Sequence, residues 1–141
     1  MTFSIEHVAV RCRDLEASVD FYCRMFGAKV LLRRNLADPR KIVFLRLADT
    51  MLELMYMGPA KEPVDSREHY GVHHIGIKTD DFESAYRDLK AKGADFLGEP
   101  FDPTPGIRLV FLRDPNGTVI ELAKRDPKVF HDAVRQGNVN W

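Results

Sequence analysis

The stretch VHHIGIKTDD, Val72 to Asp81, decides the fold, because the chain opens on nearly the same pattern at Ile5 to Asp14, IEHVAVRCRD. Each copy sets a histidine at the head of a short apolar strand and an acid where a helix should begin. His7 and His74 lie 67 residues apart, as do Asp14 and Asp81, and Glu16 and Glu83. The chain therefore reads as one unit written twice.

The repeat runs on past the strand. DLEASVDFYCRMFG, ending at Gly27, and DFESAYRDLKAKG, ending at Gly93, are amphipathic helices at an offset of 66, and MLELMYM with Glu53 and TVIELAK with Glu121 follow at an offset of 68. So constant an offset leaves no room for an extra element in either copy.

A chain of 141 residues is a single domain's worth. Its 45% apolar and 30% charged residues are ordinary for a globular protein, so a core is expected. With 21 basic against 21 acidic residues, no electrostatic reason exists to expect nucleic acid or an anionic membrane as partner. No apolar run approaches the length of a membrane span and no signal-peptide pattern opens the chain, so a soluble, cytoplasmic protein is the expectation. Cys12 and Cys23 have no CxxC or zinc-knuckle spacing and read as reduced packing thiols.

In the first strand, Ile5 to Arg11, Val8 and Val10 share one face and His7, Ala9 and Arg11 the other. The valines should meet the helix. Asp14 can cap that helix, Leu15, Val19, Tyr22 and Phe26 form its apolar stripe, and Gly27 ends it. Ala28 to Arg34, Lys41 to Leu47 and Met51 to Met57 read as three further strands, which makes the first copy β-α-β-β-β. In the second copy Ile75 and Ile77 face the helix, and Phe82, Ala85, Tyr86 and Leu89 form the stripe. Asp95 to Leu97, Ile107 to Arg113 and Thr118 to Ala123 supply its strands, parted by turns at Pro100 to Gly106 and Asp114 to Gly117. The fold class is α+β: two paired βαβββ modules forming a curved mixed sheet around a cavity, helices outside. The expected organisation is one domain over 1–141, with modules at 5–57 and 72–124, a linker at 58–71 and a tail at 125–141. Val129, Phe130 and Val134 give that tail helical spacing, and Trp141 suggests that its end packs against something.

Four positions carry the chemistry: His7, Glu53, His74 and Glu121. Each occupies the same point of its copy, on the strand face turned from the helix, and Ala9 and Gly76 leave room beside the histidines. Taken singly, a strand histidine is usually structural and a strand glutamate usually meets solvent. As a symmetric set around a shared cavity, two imidazoles and two carboxylates describe a divalent metal site, with Zn, Ni, Co, Mn or Fe(II) suited to mixed N/O ligation and room for water. His73 has the parity of Ile75 and Ile77 and is expected toward the helix or the strand edge. His69 and His131 have no counterpart and read as surface residues.

RDLEASVDFYCRMFG, HHIGIKTDD and FLRDPNGTVIEL resemble the vicinal oxygen chelate superfamily, the fold of glyoxalases, bleomycin-resistance proteins and extradiol dioxygenases, from Ile5 to about Lys124. Within it the His/Glu/His/Glu pattern is most similar to bacterial glyoxalase I. Bleomycin-resistance-type binders generally lack the metal set, extradiol dioxygenases do not use the position of Glu53 as a ligand to Fe(II), and methylmalonyl-CoA epimerases often carry glutamine there. The resemblance implies a lactoylglutathione-lyase-like isomerase, with the epimerase, the dioxygenase and the metal-free binder as alternatives. It also implies a homodimer, often with one module of each chain completing a site.

On that reading a substrate with adjacent oxygens, such as a glutathione hemithioacetal or another α-oxygenated carbonyl, chelates the metal, which stabilises the enediolate formed when the α proton leaves. Glu53 or Glu121 serves as base, with Glu121 preferred. Arg11, Arg33, Arg34, Lys78 and Arg108 are candidates for an anionic substrate, although each also reads as a solvated charge. Phe44, Met55 and Met57 are candidates for an apolar wall, although they also read as core.

Overall fold

The computed structural model describes residues 1–128. The elements are β1 (His7–Arg11), α1 (Leu15–Phe26), β2 (Lys29–Asn35), β3 (Lys41–Leu47), β4 (Thr50–Tyr56), β5 (Ile75–Lys78), α2 (Phe82–Ala91), β6 (Asp95–Phe96), β7 (Ile107–Arg113) and β8 (Val119–Arg125), with one 3-10 turn at Ser66–Glu68 between β4 and β5. The tail expected to end in a short helix around Val129, Phe130, Val134 and Trp141 lies outside the described residues, as does His131.

Each copy folds the same way. Its first strand pairs in parallel with its last, and the middle strands complete the order β1-β4-β3-β2 in one sheet and β5-β8-β7-β6 in the other, all antiparallel. The helix is the crossover that such a parallel pairing requires. The two sheets share no ladder, and the expected pair of βαβββ modules is seen as two four-stranded mixed sheets, each with its helix.

The helix starts follow from the two acids. The Asp14 side chain accepts from Ala17 N–H at 3.0 Å and the Asp81 side chain from Ser84 N–H at 3.1 Å, each satisfying a donor that a first turn leaves open. Gly27 closes α1 in the left-handed region at φ 69°.

Alternation then decides what is buried. Val10, Val43, Leu45, Leu52 and Leu54 in the first sheet, and Val110, Leu112, Ile120 and Leu122 in the second, join one continuous core with Val19, Tyr22 and Leu89 of the helices. Each fully buried aliphatic side chain contributes about 1.5–3 kcal/mol.

Helix α1 buries more than its predicted stripe, adding Ser18, Phe21 and Met25. The added burial accompanies contact with the second copy. Tyr22 Oη donates to Asp114 Oδ2 at 2.9 Å, and Asn116 Nδ2 donates to Ser18 Oγ at 3.0 Å. The other Asp114 oxygen accepts from the backbone N–H of Asn116 and of Thr118, both at 2.8 Å, so the turn that carries the lock is held by the same carboxylate. Burial, and then the Asp114 carboxylate, push the Tyr22 hydroxyl pKa well above its ordinary value. At Gly117, φ 86°, a Cβ would lie 2.9 Å from Pro63 Cγ, so glycine is what lets the linker cross this turn.

Candidate metal centre

The strand register builds the site twice. In the first sheet Glu53 lies between Ala9 of β1 and Phe44 of β3; in the second, Glu121 lies between Gly76 of β5 and Phe111 of β7. The small neighbour leaves space above each carboxylate and the aromatic one supports each histidine. His7 meets Phe44, and His74 meets Phe111, edge-on with ring centroids 5.6 Å apart in both cases. Phe111 was legible as the residue 67 positions after Phe44, but the sequence reading passed over it.

Both histidines turn Nε2 toward a glutamate. His7 Nε2 is 3.3 Å from Glu53 Oε2, and His74 Nε2 is 3.5 Å from Glu121 Oε2. Two donors each about 2.1 Å from one ion, at ligand angles of roughly 90° to 110°, stand about 3.0–3.4 Å apart; the first pair, at 3.3 Å, falls inside that range and the second, at 3.5 Å, just beyond it. The donor chemistry fits as well, since imidazole and carboxylate are the ligands of borderline divalent metals. The histidine side chains are about one-third exposed and the carboxylates nearly covered, at 15% for Glu53 and 7% for Glu121. Each pair is thus rooted in its sheet and open on one side.

Second contacts differ between the halves. Glu6 Oε2 lies 3.1 Å from His7 Nδ1, whereas the partner of His74 Nδ1 is His73 Nδ1 at 2.8 Å. Arg125 Nη2 donates to Glu121 Oε1 at 2.6 Å. Arg125 went unnamed in the sequence reading, although Glu121, Ala123 and Arg125 share one face of β8.

His73 departs from expectation. Strand parity placed it toward the helix or the edge, but β5 begins only at Ile75, so no pleat constrains it. Its ring instead leans to within 6.2 Å of Phe111, on the side of Glu121.

The four expected ligands are not gathered at one point within this chain; they stand as two separate His–Glu pairs. Among the described residues, no group of three or more histidine, cysteine, aspartate or glutamate side chains is placed to hold a metal ion. The sheets share no ladder and meet through α1 and the Asp114–Gly117 turn, so each His–Glu pair stays with its own sheet.

The remaining candidates are dispersed. Arg11 donates to the backbone oxygens of Met57, Gly58 and Pro59 at 3.1–3.4 Å and so fixes the start of the linker. That linker walls a cavity of about 720 Å³, which His73 and His74 also border. Lys78 borders a second cavity, about 540 Å³, on the side of the helices. Arg33 pairs with Glu16 at 2.6 Å. Arg108 pairs with Asp102 and Glu83, each at 3.2 Å, and covers the Phe82 ring; those two carboxylates hold its guanidinium pKa above the ordinary value. Phe44 and Met55 are half-buried, and Met55 has the parity of Glu53. Cys12 is buried and Cys23 half-buried, both free, as expected of packing thiols; burial pushes the Cys12 thiol pKa up. His69 is exposed. No helix among the described residues is long and apolar enough to cross a membrane.

Comparison with known proteins gives the same architecture. A methylmalonyl-CoA epimerase of Dictyostelium discoideum is 31% identical over 86% of this chain and 78% of its own length. Lactoylglutathione lyase GLX1 of Arabidopsis thaliana is 29% identical over 86% of this chain, which spans 44% of that protein. The solved glyoxalase I of Leishmania major superposes with a TM-score of 0.76 at 26% identity, covering 98% of this chain and 100% of that one. The family model for the glyoxalase/bleomycin resistance protein/dioxygenase superfamily matches residues 4–122, and the chain belongs to that superfamily.

Proposed function

We propose that the protein is a metal-dependent isomerase of the lactoylglutathione-lyase type, moving a proton next to a carbonyl in a small chelating substrate such as a glutathione hemithioacetal. The observation that carries this reading is the pair of equivalent His–Glu sets, His7 with Glu53 and His74 with Glu121, at 3.3 and 3.5 Å. Similarity to lyase and epimerase relatives runs at the same level, 29% and 31%. What favours the lyase is Glu53 itself, since the family resemblance implies glutamine at that position in many methylmalonyl-CoA epimerases.

In this reading a homodimer brings the first sheet of one chain to the second sheet of its partner, and His7, Glu53, His74 and Glu121 together hold one divalent ion. The ion supplies Lewis acidity that stabilises negative charge on the substrate's adjacent oxygens. The chain's own groups do the rest. Ala9 and Gly76 leave the space in which the substrate sits. Phe44 and Phe111 shield the site from water and keep the imidazoles upright. Glu53 or Glu121 takes the α proton and returns it to the neighbouring carbon. Arg125 holds the far oxygen of Glu121, keeping its other oxygen turned toward His74.

The test is elemental analysis of the purified protein joined to assays with methylglyoxal plus glutathione and, separately, with methylmalonyl-CoA. The reading requires about one divalent ion per site and hemithioacetal turnover that a chelator abolishes and added metal restores. Turnover of methylmalonyl-CoA alone would move the protein to the epimerases, and oxygen uptake with a catechol to the dioxygenases.

A further inference from the structure

We propose that His73 is a positioning residue for the metal centre: its Nδ1 accepts a hydrogen bond from Nδ1–H of His74, which leaves the His74 Nε2 lone pair directed at the metal position. This rests on the reading of His74 and Glu121 as ligands given above. The observation is the 2.8 Å approach of His73 Nδ1 to His74 Nδ1, with the two rings nearly perpendicular at 85° and 5.0 Å between centroids.

Two neutral imidazole nitrogens at that distance share one proton, because two N–H groups would collide and two lone pairs would repel. Two arrangements are therefore available. If the proton sits on His73, His74 accepts at Nδ1 and carries its own proton on Nε2, where it meets Glu121 Oε2 at 3.5 Å. If the proton sits on His74 Nδ1, His73 carries its own proton on Nε2, and His74 Nε2 is free to bind a cation. Atoms and charge are the same in both arrangements; only the second permits ligation. His73 thus provides the acceptor that the ligating tautomer of His74 needs.

The first sheet solves the same problem with a different group. Glu6 Oε2 stands 3.1 Å from His7 Nδ1, and a carboxylate can only accept there. The two halves of a duplicated site therefore orient their histidines with unlike partners, one a carboxylate and one an imidazole that Phe111 backs at 6.2 Å. His73 is exposed, so its replacement leaves the core intact.

The experiment compares the parent with H73L and H73Q at one fixed pH. Zn²⁺ affinity is read by competition with a chromophoric chelator, and His74 nitrogen shifts by ¹⁵N NMR on the zinc-loaded, histidine-labelled protein. Leucine at 73 should weaken zinc binding about 10- to 100-fold, with Glu121 and the fold intact by melting temperature. Glutamine, whose amide oxygen can accept, should restore affinity to within about threefold of the parent. In the parent, His74 should show a protonated Nδ1 and a metal-bound Nε2. Parental affinity in H73L, a proton on His74 Nε2 in the loaded protein, or metal coordination by His73 itself would each overturn the proposal while leaving the metal centre standing. A parent that binds no zinc would overturn the metal-centre reading and this proposal with it.

Discussion

If one metal centre takes its ligands from two chains, two inactive variants can rebuild an active one. Glu53→Gln damages the half-site on the first sheet and Glu121→Gln the half-site on the second. In a heterodimer of the two variants, one centre combines the substituted first sheet of one chain with the substituted second sheet of the other and carries both lesions. The second centre combines the intact first sheet of one chain with the intact second sheet of the other. Random pairing makes half of the dimers heterodimers, each with one of two centres whole, so co-expression should return about a quarter of parental activity and of tightly bound metal. The control is Glu53→Gln co-expressed with His7→Ala. Those side chains lie 3.3 Å apart on the same sheet, so every centre keeps a lesion and nothing should return. Differently tagged chains purified through both tags isolate the heterodimer, in which recovery should rise to about one half. Recovery no greater than the variants show alone would refute shared centres. Recovery in the control would refute the grouping of His7 with Glu53.

Other consequences are independent of that pairing. Tyr22→Phe removes a buried hydrogen bond to the Asp114 carboxylate, which should cost about 1.5–3 kcal/mol and lower the melting temperature by roughly 5–10 °C without changing metal affinity; a loss under about 2 °C would contradict the lock. Hydrogen bonds from the Ser84 side chain and backbone hold the Asp81 carboxyl below its ordinary pKa, so its stabilisation is complete above about pH 4 and is lost as pH falls through the folded value. The melting deficit of Asp81→Ala should therefore be full at pH 6 and shrink below pH about 4, as thermal melts across pH would show. At Gly76 an added Cβ meets nothing within 4 Å, so Gly76→Ala should melt within about 1 °C of the parent. Gly76→Phe, beside Glu121, should raise KM while zinc affinity stays at the parental value.

What could be read from the sequence was whatever the duplication repeats. His7 with His74, Glu53 with Glu121, and the two capping acids share near-constant offsets and alternation parity, and each sits inside or beside regular structure where parity holds. His73 escaped because it lies two residues ahead of β5, whereas His74 directly adjoins the strand. Val30, Leu31 and Leu32 look like core material, yet each is more than 40% exposed, on a β2 that is an edge strand paired on one side only. The bond from Tyr22 to Asp114 joins residues 92 apart, and no local pattern announces it. Duplication reveals what each module does alone; it says little about how one module rests on the other.

That division bears on the chemistry. A module on its own offers two donors, His and Glu, and two donors leave an aqueous divalent ion most of its water. Four donors of this kind hold it far more firmly, because the later ones bind an ion whose freedom is already lost. If the second pair comes from another chain, metal uptake and chain pairing stabilise each other, since whatever binds only the paired state favours it by mass action. The apolar edge at Val30, Leu31 and Leu32, with Leu36 beside it, is surface that such pairing can cover. The residues that set the two histidine rings then matter in proportion. On the proposed pairing, a half-site whose imidazole presented a proton instead of a lone pair to the ion would weaken ligation and pairing together, so substitutions at Glu6 and His73 should lower dimer affinity as well as metal affinity.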